Sequence, residues 1–216
     1  MEKIIHVNLP QGSLEGMLKI PPKSDGIVLF AHGSGSSRLS PRNNFVAKLL
    51  NDAGLATLLI DLLTTKEDEN YQTRFNINLL TERLKNVYDW LKSQSDTKDL
   101  RIGLFGSSTG AAAALQLAAA LGEKITAVVS RGGRPDLALD VLDSVSAPTL
   151  LIVGGNDFGV IELNQKAYDQ LVCHKHLEII PHATHLFEEP GCLDAVAKSA
   201  QSWFQRFLSR HLSSSR

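Results

Sequence analysis

The chain opens on two short stretches in which apolar and polar residues alternate, Ile4 to Asn8 and Leu14 to Ile20, separated by Pro10-Gln11-Gly12-Ser13. A period of two broken by Pro and Gly predicts an antiparallel pair of strands. After Pro21-Pro22 the pattern changes. Apolar runs now recur at Ile27 to Ala31, Leu55 to Ile60, Arg101 to Phe105, Ile125 to Val129, Pro148 to Val153 and His176 to Ile180, and longer segments of helical period separate them. Runs that are apolar on both faces are strands buried within a sheet, and such segments supply the crossover helices.

Ser40-Pro41 has the order of an N-cap followed by proline at the first helical position, which predicts a helix running to Ala53 and stopped by Gly54. Further helices are expected from about Thr73 to Ser93, from Ala111 to Ala120, around Asp136 to Ser144, over Val160 to Leu171 and from Leu193 to Leu208. Between them, Asp61 to Tyr71 reads as a polar, acidic connection, exposed and flexible. Alternating strands and helices predict an α/β fold with a mostly parallel, twisted sheet, right-handed crossovers and helices on both faces, without a large lid domain. At 216 residues the chain has room for one domain, expected over residues 1–210, with residues 211–216 as a flexible tail.

Composition narrows the function classes. A hydrophobic fraction of 43% and a charged fraction of 21% are those of an ordinary globular protein. The net charge of −1 provides no general field for nucleic acid or an anionic membrane, so neither is an expected partner. The N-terminal residues lack the apolar run of a signal peptide, and no stretch approaches membrane-spanning length, which makes the cytoplasm the expected compartment. Cys173 and Cys192 have no CxxC neighbour, so both are expected as free thiols and no metal site is expected.

Chemistry in a sheet of this kind gathers beyond the carboxyl ends of the strands. There the chain places Gly106-Ser107-Ser108-Thr109-Gly110, between a strand and a strongly helix-forming alanine run. Two glycines permit a tight strand-to-helix turn that lifts the Ser108 hydroxyl above the sheet, with the helix N-terminus favouring negative charge beside it. A serine needs a base, and the base an orienting acid. Asp157 follows one later strand through Gly154-Gly155-Asn156, and His185 follows the last strand through Pro181-His182-Ala183-Thr184. His182 is the alternative base, but it sits closer to the strand end and reads as a wall residue. Asp136, Asp140 and Asp143 share one helix and read as an exposed or capping face, and Glu162 as surface. Backbone N–H groups of Thr109 and of the loop His32-Gly33-Ser34-Gly35, Ser34 above all, are the expected oxyanion donors. Arg131 and Arg134 follow a strand on the same edge and are candidates to hold an anionic substrate group, with pairing to Asp136, Asp140 or the acids of the neighbouring loop as the plainer reading. His32 is read as touching substrate or bracing its loop.

These four segments, His32 to Gly35, Gly106 to Gly110, Gly154 to Asp157 and His182 to Phe187, resemble the α/β-hydrolase family and within it the dienelactone-hydrolase-like group, over about Ile4 to Leu208. The resemblance implies cleavage of a small ester, lactone or thioester through an acyl-enzyme on Ser108, with no metal or organic cofactor; separately, a monomer or homodimer is expected. Dienelactone hydrolases proper carry cysteine at the nucleophile position. Serine here makes a carboxylesterase-like activity the expectation. Two other readings stand beside it. The glycine loop after Ala31 followed by Asp61 at the next strand's end mimics a dinucleotide-binding fingerprint, although Arg38 occupies the third glycine position. The second is a non-catalytic ligand-binding or regulatory protein on the same scaffold.

Overall fold

A computed structural model describes residues 1–209, so the expected tail at 211–216 lies outside the described residues. Eight strands form one sheet: β1 (Glu2–Leu9), β2 (Gly12–Lys19), β3 (Gly26–Ala31), β4 (Ala56–Ile60), β5 (Arg101–Ser107), β6 (Ile125–Arg131), β7 (Thr149–Gly154) and β8 (Lys175–Ile180). Their order is β1-β2-β4-β3-β5-β6-β7-β8. β1 pairs antiparallel with β2, and β2 antiparallel with β4. All remaining pairs are parallel. The switch from alternating to continuous apolar runs therefore marks where the chain passes from the antiparallel edge hairpin into the doubly covered sheet.

Six α-helices are described: α1 (Pro41–Asp52), α2 (Thr65–Asp68), α3 (Ile77–Ser93), α4 (Thr109–Leu121), α5 (Phe158–Gln170) and α6 (Cys192–Leu208). In β3, Val28 and Phe30 join Val46 and Leu50 of α1 and Ala200 and Phe204 of α6 in one core. Ile27 and Leu29 face the other way, toward Leu84 and Leu91 of α3 and Ala113 and Leu117 of α4. With helices on both faces, every residue of β3 and β4 is buried, which is why those strands read as unbroken apolar runs. α1 begins as its capping signal indicates: the Ser40 hydroxyl accepts the Asn43 N–H at 3.3 Å and Pro41 is the first helical residue.

Three segments differ from the sequence expectation. The connection after Asp61 is structured rather than loose. Leu62 and Leu63 are buried, and α2 carries a reciprocal capping box in which Thr64 and Glu67 satisfy each other's backbone N–H groups. Helix α3 starts at Ile77 instead of Thr73, because the Asn76 side chain caps the Leu79 N–H at 3.1 Å, while Tyr71–Phe75 forms a separate 3-10 turn. Pro135–Ser144 is 3-10 rather than α-helical, interrupted at Ala138 with φ −133°.

Candidate active site

β5 ends at Ser107 and α4 begins at Thr109, which leaves Ser108 alone to reverse the chain, at φ 50° and ψ −123°. A residue with a Cβ is strained at positive φ, and such strain persists where the surroundings over-determine it. Here they do. A Cβ at Gly106 would stand 2.4 Å from Ala111 Cα, and one at Gly110 would stand 2.2 Å from the Ala31 carbonyl oxygen. The glycines thus let α4 press onto the sheet with Ser108 at its N-terminus.

The loop after β3 lies directly against this turn, since a Cβ on Gly33 would be 3.0 Å from Ser108 Cβ. Its Ser34 N–H donates to the Thr109 hydroxyl at 3.0 Å, so the two expected oxyanion donors are neighbours and one of them is engaged in this structure. His32 braces the loop. Its Nε2 accepts the Leu62 N–H at 3.0 Å, which places the proton of the neutral ring on Nδ1, donating to the Gly33 carbonyl at 2.9 Å. Burial holds the His32 pKa below its ordinary value, against smaller opposing effects of the Gly33 carbonyl and Asp61.

The loops after β7 and β8 interlock through backbone. Gly155 N–H donates to the Ile180 carbonyl at 2.8 Å and Asn156 N–H to the Ala183 carbonyl at 2.9 Å. A Cβ at Gly154 would meet the Ala183 carbonyl oxygen at 2.4 Å, so this approach requires the glycine. The result is that His185 Nδ1 lies 2.7 Å from Asp157 Oδ2, with the histidine side chain 41% exposed and the carboxylate 16%. His182 is exposed and in the left-handed region at φ 64°; its carbonyl accepts from the Asn156 side chain.

The segment after β6 joins the two halves. Arg134 N–H donates to the Ser108 carbonyl at 3.1 Å, and a Cβ on Gly132 would stand 3.5 Å from His185 Cε1. Ser108 and His185 thus border one short stretch of chain. Among the described residues no hydrogen bond links the Ser108 hydroxyl to His185. Hydrogen bonds of this kind are often long before substrate binds.

The two arginines of that segment are not presented together as an anion clamp. Arg134 is forked onto Asp136 through two bonds of 2.8 Å, the plainer of the two sequence readings. Arg131 turns to the α1 side, 5% exposed, donating to Asn43 Oδ1 at 3.0 Å and lying 5.9 Å from the centre of the Phe187 ring. Burial, with a smaller effect of Arg42, lowers its pKa to about 10. The dinucleotide reading loses its acid: Asp61 accepts both the Arg38 backbone N–H at 2.7 Å and its guanidinium, which also binds Glu15.

The connection after β4, read as a loose exposed segment, contributes a wall. Leu63, Asp68, Arg74 and Leu80 line a cleft with Gly33, Ser34 and Gly35. Asp68 and Arg74 form a fork, with the Arg74 Nε 2.8 Å from Asp68 Oδ1. Buried Arg83 of α3 anchors the connection by binding Glu67. Among the described residues no cluster of three metal-ligating side chains occurs, both cysteines are free, and no helix is long and apolar enough to cross a membrane.

A mostly parallel eight-stranded sheet with an antiparallel edge, covered by helices on both faces and carrying a serine in its strand–turn–helix elbow, defines the class: this is an α/β-hydrolase-fold protein. The sequence profile of the dienelactone hydrolase family matches residues 14–210, and the chain belongs to that family. It is 55% identical to a dienelactone hydrolase of known structure from Anabaena variabilis, covering 97% of this chain and 99% of that one with a TM-score of 0.94. Est1E from Butyrivibrio proteoclasticus shares the fold at 17% identity, with a TM-score of 0.82 over 94% of this chain and 98% of that one. The chain is also 58% identical over 189 residues to a putative phosphoribosyl transferase of Mycobacterium tuberculosis, which covers 88% of this chain but only 43% of that protein.

Proposed function

We propose that the protein is a carboxylesterase-like serine hydrolase that cleaves a small ester, lactone or thioester through an acyl-enzyme on Ser108. The observation that carries this reading is the 2.7 Å contact of His185 Nδ1 with Asp157 Oδ2, with His185 and the strained turn at Ser108 bordering the same short segment after β6. The carboxylate holds the Nδ1 proton and leaves Nε2 as the base. Nε2 takes the Ser108 proton as Oγ attacks the carbonyl carbon, and the carbonyl electron pair moves onto oxygen. Thr109 N–H and Ser34 N–H stabilise that oxyanion, the latter exchanging its bond to the Thr109 hydroxyl for one to substrate. Collapse expels the alcohol, lactone oxygen or thiol, which leaves with the proton held by His185. Water then attacks the acyl-enzyme by the same route and restores Ser108.

The transferase name of the mycobacterial relatives is best assigned to the part of those proteins that this chain does not span. A fluorophosphonate probe tests the hydrolase reading: wild type is labelled and Ser108→Ala is not. A folded wild-type protein that resists labelling, or one that consumes phosphoribosyl diphosphate, rejects it.

A further inference from the structure

Six of the ten large apolar side chains exposed among the described residues stand on the connections at the carboxyl ends of the strands, where the catalytic loops also lie. Leu39 (60%) follows β3, and Tyr71 (64%) and Phe75 (43%) follow β4. Leu137 (36%) follows β6, Phe158 (71%) follows β7 and Leu186 (39%) follows β8. Phe158 is the next residue after Asp157, and Leu186 the next after His185. Tyr71 and Phe75 bracket Arg74, the residue that a Cβ on Gly35 would approach to 3.8 Å, and their rings lie 5.0 Å apart. Exposed apolar groups gathered around a site mark a surface that is covered when the protein works.

The charges on the same edge point the same way. Arg38 is bound by Asp61 and Glu15, Arg42 by Glu188, Arg74 by Asp68 and Arg134 by Asp136. Each guanidinium already has its carboxylate. Arg131, which has none among its hydrogen bonds, is buried beside Phe187. Lys66 of α2 remains as an exposed cation of this edge.

From these two observations we infer a substrate class, resting on the serine-hydrolase reading above: an uncharged ester with an extended apolar or aromatic body, which the rim around Ser108 covers, rather than an anionic one. Leu186 and Phe158 directly follow His185 and Asp157 in the chain, and Tyr71 and Phe75 stand on the same connection that supplies Leu63 and Arg74 to the cleft beside Gly33, Ser34 and Gly35. Apolar contact is non-directional, so such a rim selects for length and hydrophobicity. Each buried CH₂ is worth roughly a fourfold gain.

The test is a series of chromogenic aryl esters, acetate, hexanoate, benzoate and hemisuccinate, with wild type, Phe158→Ser, Leu186→Ser and Lys66→Ala. The expected result is a kcat/KM about tenfold or more higher for hexanoate or benzoate than for acetate, and lower for hemisuccinate. In Phe158→Ser and Leu186→Ser the hexanoate value falls at least about fivefold while acetate turnover and probe labelling stay within about twofold. Labelling with a flat chain-length profile overturns the substrate class alone. So does a hemisuccinate preference abolished by Lys66→Ala, or a dimer in light scattering that Phe158→Ser dissociates. Absence of both labelling and turnover overturns the hydrolase reading and the substrate class with it.

Discussion

His185 Nδ1 and Asp157 Oδ2 are 2.7 Å apart, although 28 residues separate them in the chain. The contact exists because the loops after β7 and β8 share backbone hydrogen bonds at Gly155 and Asn156. Asp157→Asn keeps the size and a hydrogen bond but favours the wrong imidazole tautomer. We expect kcat to fall by about 10³- to 10⁴-fold with little change in melting temperature, as steady-state kinetics and calorimetry together check.

The turn at Ser108 stores strain. Glycine tolerates φ 50° without a Cβ penalty, so Ser108→Gly is expected to stabilise the protein by about 1 kcal/mol, the relief of strain exceeding the entropy cost of glycine. The same variant loses probe labelling. Urea unfolding of both proteins reads this, and a destabilised variant contradicts the strain argument.

His32 makes stability depend on pH. Its buried ring resists protonation, chiefly through desolvation, whereas the unfolded chain takes up a proton near the ordinary value of about 6.5. Stability is therefore full above about pH 6.5 and declines as pH falls from there toward the depressed folded value. Protonation of Nε2 also removes the acceptor of the Leu62 N–H. In urea midpoints measured between pH 5 and 7.5, His32→Gln is expected to show a shallower slope than wild type.

Glu67 joins α2 to α3 through the guanidinium of Arg83, a side chain only 2% exposed. Burial pushes the Glu67 pKa up, but the Thr64 backbone N–H and then Arg83 outweigh it, so the carboxyl sits below its ordinary value. Glu67→Gln keeps the capping box and removes the charge. It is expected to cost about 2 kcal/mol, because the Arg83 cation keeps only exposed Glu82 as an ionic partner. Wild type loses the same contribution as pH falls below the unfolded carboxyl value toward the folded one. A variant as stable as wild type at pH 7 refutes the anchoring role.

What the sequence by itself determined about this protein is the part written in local pattern. Continuous apolar runs specify strands covered on both faces, Ser40-Pro41 caps α1, and glycines mark the places where backbone must touch backbone, at Gly106, Gly110 and Gly154. The order of the strands, and hence the placement of Ser108, Asp157 and His185 on loops at one edge of the sheet, rests on alternation of elements and was legible only as an expectation. Tertiary structure decided the rest, because it depends on partners distant in the chain. Arg134 turned to Asp136 and Arg131 to Asn43, a choice invisible in sequence while several acids and a substrate anion were all open to them. The acidic stretch from Asp61 came to line a cleft beside the glycine loop because Arg38 binds Asp61, Arg83 binds Glu67 and Arg74 binds Asp68. A charge pattern in sequence records which groups need partners, and only packing chooses them.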